Sequence, residues 1–229
     1  MKALCTTLMI AFVVSSMLTL ALRSHSSGAT TDGNDSGVIS STATGLQFSD
    51  QTIAANLMFS HTTYAQTELN MMISGAAVGD FNNDGWDDLF VLGGGVVSDA
   101  LFINQGDGTF TDQAPQWGVA IRQRGAGVAV ADYNNDGWQD LFITSHGISE
   151  TAAVGYHRLY KNNQGVDFVD VATEAGVNLS SSSLVDGFGS TFGDYDLDGD
   201  LDLFVTGWRS GGKGNRLFRN NRDGTFTDI

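Results

Sequence analysis

The chain writes one nine-residue pattern three times: DFNNDGWDD from Asp80 to Asp88, DYNNDGWQD from Asp132 to Asp140, and DYDLDGDLD from Asp194 to Asp202. Each copy has an oxygen-bearing side chain at positions 1, 3, 5 and 9 and a Gly at position 6. A short loop that turns hard oxygens inward at alternate residues suits Ca²⁺, which takes roughly six to eight such ligands. The Gly allows the sharp bend by tolerating φ > 0, which leaves position 7 (Trp86, Trp138, Asp200) to offer its backbone carbonyl. An EF-hand would need a bidentate Glu at position 12 and flanking helices. Position 12 is Val91, Ile143 and Val205, so that fold is excluded. Apolar runs follow each loop (LFVL from Leu89, LFIT from Leu141, LFVT from Leu203), and a Gly stands five residues ahead of it (Gly75, Gly127, Gly189). The loops are predicted to be strand–loop–strand turns.

A second marker recurs between the loops: LFINQGDGTFTD from Leu101, LYKNNQGVDFVD from Leu159, and LFRNNRDGTFTD from Leu217. Its closing Asp falls at 112, 170 and 228, a constant step of 58 residues, and a half-copy, LQFSD, ends upstream at Asp50. Each unit offers about four short strands and no long helical period. A repeat of this length and strand count, rich in Gly turns, predicts an all-β fold of β-propeller blades stacked on their neighbours. Residues 45–229 hold about three units, fewer than the roughly four to eight blades of a closed ring, and the sequence stops at Ile229, one residue past the closing Asp of the third marker. An incomplete propeller, part of a longer gene product, is the expectation.

Of the 26 acidic residues, 12 lie inside the three nonapeptides, so much of the net charge of −15 reads as cation ligand. So acidic a chain argues against nucleic acid, whose phosphates need a basic face. Cys5 is the one cysteine, so no intrachain disulfide can staple the fold. Residues 1–29 read as a secretory signal peptide, with an uncleaved N-terminal membrane anchor as the other reading. Residues 30–44, rich in Ser, Thr, Gly and Asp, read as a flexible linker. Asn34 and Asn178 begin glycosylation sequons. Export to the cell exterior, surface or periplasm follows from either reading of the leader.

These motifs resemble the FG-GAP/VCBS repeats of integrin α-subunit-like propellers, and among them the exported repeat proteins related to cartilage acidic protein. The resemblance covers about residues 45–229. It implies a propeller with calcium in blade hairpin loops, about three ions here. The ligands it implies are Asp80, Asn82, Asp84 and Asp88; Asp132, Asn134, Asp136 and Asp140; and Asp194, Asp196, Asp198 and Asp202. The carbonyls of Trp86, Trp138 and Asp200 would join them. The tail domain of some such relatives is absent, and any function it carries is not expected of this stretch.

No catalytic constellation emerges. GFGSTFG from Gly187 lacks the G-x-S-x-G spacing of a nucleophile elbow, and GGKGN from Gly211 lacks the spacing of a P-loop. His61, His146 and His157 occupy unrelated repeat positions and read as surface or turn residues. Phe110, Phe168 and Phe226 recur in register and read as core. Trp86 and Trp138 fit either packing or a sugar platform. The additional carboxylates of the third loop predict its tighter calcium binding at equal geometry. The expected function is an exported calcium-binding module for protein or glycan interaction or adhesion, its calcium mainly structural. The alternative is an accessory region of a longer secreted enzyme, such as a polysaccharide-degrading one.

Overall fold

A computed structural model describes residues 48–63, 73–145, 156–178, 187–207 and 214–229. The leader, the linker, His146 and most of the GGKGN stretch lie outside them. The described residues form twelve strands in three four-stranded antiparallel sheets. The first sheet comprises β1 (Ala76–Gly79), β2 (Asp88–Val91), β3 (Ala100–Asn104) and β4 (Phe110–Asp112). The second comprises β5 (Gly125–Ala131), β6 (Asp140–Ser145), β7 (Arg158–Asn162) and β8 (Phe168–Asp170). The third comprises β9 (Gly187–Gly193), β10 (Asp202–Gly207), β11 (Arg216–Asn220) and β12 (Phe226–Asp228). Each sheet keeps its strands in chain order. They are three consecutive blades of an incomplete β-propeller, as the repeat predicts.

The apolar runs are continuous because, in the first two blades, both faces of the second strand are covered, and side chains alternate between faces with period two. Leu89 and Val91 of β2 pack toward Ala55, Leu57 and Phe102. Phe90 and Leu92 pack the other way, in the core shared with Leu141, Ile143, Tyr160 and Phe168 of the second blade. Phe142 of β6 joins Leu203, Val205 and Phe218 in the next interface. Phe110, Phe168 and Phe226 are all buried, as their recurrence predicts. On the far face of the third blade, Phe204 is 36% exposed, whereas its repeat equivalents Phe90 and Phe142 are fully buried.

Connectors join the blades by a repeated hydrogen bond. The backbone N–H of Phe168 donates to the Trp117 carbonyl at 3.0 Å, and that of Phe226 to Ala175 at 2.8 Å. Phe110 does the same to Ala55 at 3.0 Å, so the upstream half-copy supplies the connector of the first blade. The next residue in each connector is left-handed, at Asn56, Gly118 and Gly176.

Close approach of the innermost strands requires glycine. A Cβ on Gly127 would lie 2.7 Å from the Phe188 carbonyl of the next blade. In the space so kept, the Thr144 hydroxyl accepts the Gly127 N–H at 2.8 Å and lies 3.2 Å from the Phe188 oxygen.

Candidate metal-binding loops

Each nonapeptide is the hairpin loop between the first two strands of its blade, with β1 pairing β2 in register from Gly79↔Asp88 to Ala76↔Val91. Two left-handed residues shape each loop. Position 4 has φ of 55° at Asn83, 58° at Asn135 and 62° at Leu197, and the glycine at position 6 lies between 87° and 93°. The first Asp organises the bend. Asp80 accepts the N–H groups of Asp84 and Gly85 at 3.0 and 2.8 Å. Asp132 holds Asp136 and Gly137 in the same way, and Asp194 holds Asp198 and Gly199. Position 5 then caps position 7, with Asp84, Asp136 and Asp198 accepting the N–H of Trp86, Trp138 and Asp200.

Position 9 is buried in all three copies, at Asp88, Asp140 and Asp202. Asp88 accepts the N–H of Phe81 on one oxygen at 3.0 Å and that of Asn104 on the other at 2.8 Å. Asp140 and Asp202 repeat both bonds. The position-9 carboxylate is thus a brace between the loop and the third strand as well as a ligand candidate. Burial pushes the Asp88 and Asp140 carboxyls up to about 7 against these backbone donors, and the loop's other aspartates add repulsion. A bound divalent cation would reverse that balance.

Ligand atoms of Asp194, Asp196 and Asp202 lie within 4.8 Å of one another. In the first two loops Asn82 and Asn134 stand where the third has Asp196. Carboxylate and amide oxygens at this density suit a hard cation such as Ca²⁺ and not a soft metal. The donor set fits the ion.

Neighbouring loops touch. The Asn83 side chain donates to the Gly137 carbonyl of the second loop at 3.0 Å, and Asn135 to the Asp200 carboxylate of the third at 2.9 Å. Trp86 is half-exposed and covers Gly106, where a Cβ would lie 2.9 Å from its indole nitrogen. Trp138 covers Gly165 in the same manner.

Sequence reading left the marker asparagine unassigned. The Asn162 side chain donates to the Gln139 carbonyl of its own blade at 3.0 Å and to the Phe81 carbonyl of the preceding loop at 2.8 Å. Asn220 repeats both bonds on Leu201 and Tyr133. The recurrence of L-[FY]-x-N was the available signal.

The reading of His157 needs correction, because it is buried and is no surface residue. Its Nδ1 accepts the Ser145 N–H at 3.0 Å. In the equivalent places, Asp99 accepts the Gly93 N–H at 2.8 Å and Asn215 that of Gly207 at 3.1 Å. Three different side chains cap the end of the second strand, so no residue identity recurred to reveal the role. His61 is half-buried against the Ile73 carbonyl. Ser190 is an ordinary residue of β9.

The FG-GAP-like repeat family matches residues 80–143. Cartilage acidic protein 1 of Xenopus tropicalis is 35% identical over 153 residues, covering 65% of this chain and 22% of that protein. Cartilage acidic protein 1 of Homo sapiens is 37% identical over 125 residues, covering 52% and 17%. The chain spans about a fifth of the length of these curated relatives. A solved structure of an Agrocybe aegerita lectin that recognises non-reducing terminal N-acetylglucosamine aligns with 66% of this chain and 36% of its own. At 21% identity and a TM-score of 0.37, that likeness is too slight to bear on function.

Proposed function

We propose that this chain of FG-GAP-like repeats is an extracellular, calcium-loaded propeller module that binds proteins or glycans and has no catalysis of its own. One observation carries the reading: the same hairpin loop is built three times, with the same backbone bonds to its position-1, position-5 and position-9 carboxylates. In its third copy, three carboxylate ligand atoms lie within 4.8 Å. Such a group repels itself, and a divalent cation bound among the oxygens offsets the repulsion. The residues nominated are positions 1, 3, 5 and 9 of each loop with the carbonyl of position 7. The ion would supply charge compensation and stiffen the hairpin, which in turn holds the next blade through Asn162 and Asn220.

The acidic sequence, its apolar leader and its similarity to cartilage acidic protein 1 support an extracellular setting, where modules bind calcium at dissociation constants of about 0.1 to 1 mM. Calcium titration of the full chain by calorimetry tests the reading. The wild type is expected to bind three ions. The variant Asp84→Ala, Asp136→Ala, Asp198→Ala is expected to bind none, and undiminished stoichiometry there would refute the assignment.

A further inference from the structure

In every loop the position-5 aspartate spends Oδ1 on the position-7 N–H, so its Oδ2 is the oxygen left to meet a cation. What meets Oδ2 differs among the copies. In the first loop it is the neutral Asn82 amide at 2.8 Å. In the second it is the Lys161 ammonium at 3.4 Å. In the third it is the Arg222 guanidinium, 3.2 Å from Asp198. Arg222 holds this loop at two more points, donating to the Asp198 carbonyl at 2.6 Å and pairing with Asp200.

Asp198 and Asp200 are two of the five carboxylates that make the third loop the most acidic. One is a nominated ligand and the other supplies the additional charge at position 7. Both face the same guanidinium. Asp200 is further engaged by Asn135 of the second loop, so its carboxylate serves contacts outside its own loop. The arginine is also particular to this copy. Gly106 and Gln164 occupy the equivalent places, all three with positive φ, and Arg222 adopts 67° there as a non-glycine residue.

Resting on the calcium reading of the loops, we propose that Arg222 is a resident counter-cation that competes with the divalent ion for Asp198, so that the third site is the weakest of the three. This reverses the order that counting carboxylates predicts. An entering Ca²⁺ must displace the guanidinium from Asp198 or bind beside a fixed positive charge, and each alternative lowers affinity.

Calorimetric calcium titration of the full chain, wild type against Arg222→Gln, is the test. Arg222→Lys and Arg219→Gln serve as comparisons. Arg219, the repeat equivalent of Lys161, makes no ion pair among the described residues. The expected result is that Arg222→Gln tightens the weakest site by roughly two- to fivefold, the range an exposed ion pair supplies. Arg222→Lys should remain near wild type, and Arg219→Gln should leave that site unchanged. The proposal is overturned if Arg222→Gln leaves the weakest site unaltered or weaker. It is equally overturned if Arg219→Gln tightens that site as much, since long-range charge alone would then be responsible. A wild type that binds no calcium would refute the calcium reading itself, and this is decided by the first titration before any variant is compared.

Discussion

The side-chain amide of Asn162 reaches the backbone carbonyl of Phe81, 81 residues earlier and in the preceding blade, at 2.8 Å. Phe81 itself is fully buried, with its ring 5.6 Å from that of Phe168 in an edge-on contact. Polar and apolar contacts thus meet at one joint between blades. Replacing Asn162 by Ala leaves both the Phe81 and Gln139 carbonyls without this donor. The expected cost is about 2–3 kcal/mol of stability, read as a lower urea midpoint. An unchanged midpoint would show that the joint is held by the aromatic contact alone.

The two titratable caps in equivalent places work in opposite directions with pH. Burial lowers the His157 imidazole from its ordinary 6.5 to about 4. The unfolded chain therefore takes up a proton that the folded chain refuses, and stability is complete above pH 6.5 and falls as the pH drops toward 4. Burial raises Asp99 to about 7, against the hydrogen bonds that lower it. Its folded carboxyl retains a proton that the unfolded one has lost, so its contribution grows as the pH falls through 7. His157→Asn, which copies the cap used at Asn215, is expected to remove about 2 kcal/mol of the acid-side loss by pH 5. Urea midpoints of wild type and variant at pH 7.5 and 5, with calcium in excess, measure the difference.

Leu197 stands at the left-handed position of the third loop with φ of 62° and is 87% exposed. Asn83 and Asn135 fill the same position in the first two copies. Asn tolerates that backbone better than Leu, and almost no packing is lost with the exposed side chain. Leu197→Asn is expected to stabilise the chain by about 0.5–1 kcal/mol. A lower thermal midpoint for the variant would contradict this account.

Two glycines of equivalent appearance in sequence should respond differently to alanine. At Gly127 the new Cβ meets the Phe188 carbonyl at 2.7 Å, and backbone cannot step aside as a side chain does. At Gly193 nothing lies within 4 Å. Gly127→Ala is expected to cost about 1–3 kcal/mol, and Gly193→Ala to change stability little. Equal responses from the two variants would refute the close-approach argument.

The blades were legible because the marker and its three buried Phe residues repeat at a constant step, and the apolar runs and Gly turns recur in the same order around each loop, so the repeat exposes its own register. The nonapeptides likewise announced the loops they form. What escaped was of two kinds. Asn104, Asn162 and Asn220 were visible as repeated letters, but their partners are carbonyls, which carry no residue identity. Asp99, His157 and Asn215 share a task that each side chain performs with a different acceptor atom, so alignment by type separated them. Arg222 was hidden for another reason: it is a departure from the repeat, and its meaning depends on where a left-handed turn aims one long side chain.

The connector bonds have a consequence for how such a chain can change length. Each blade lends its connector to the next, from Ala55 to Phe110, from Trp117 to Phe168 and from Ala175 to Phe226. Among the described residues each junction therefore uses the same backbone bond, offset from the boundaries of the repeat that a gene would copy. Duplicating or deleting a whole repeat, cut at any point within it, regenerates the same backbone bond at the junction. The number of blades could drift in descent without a new interface having to be invented.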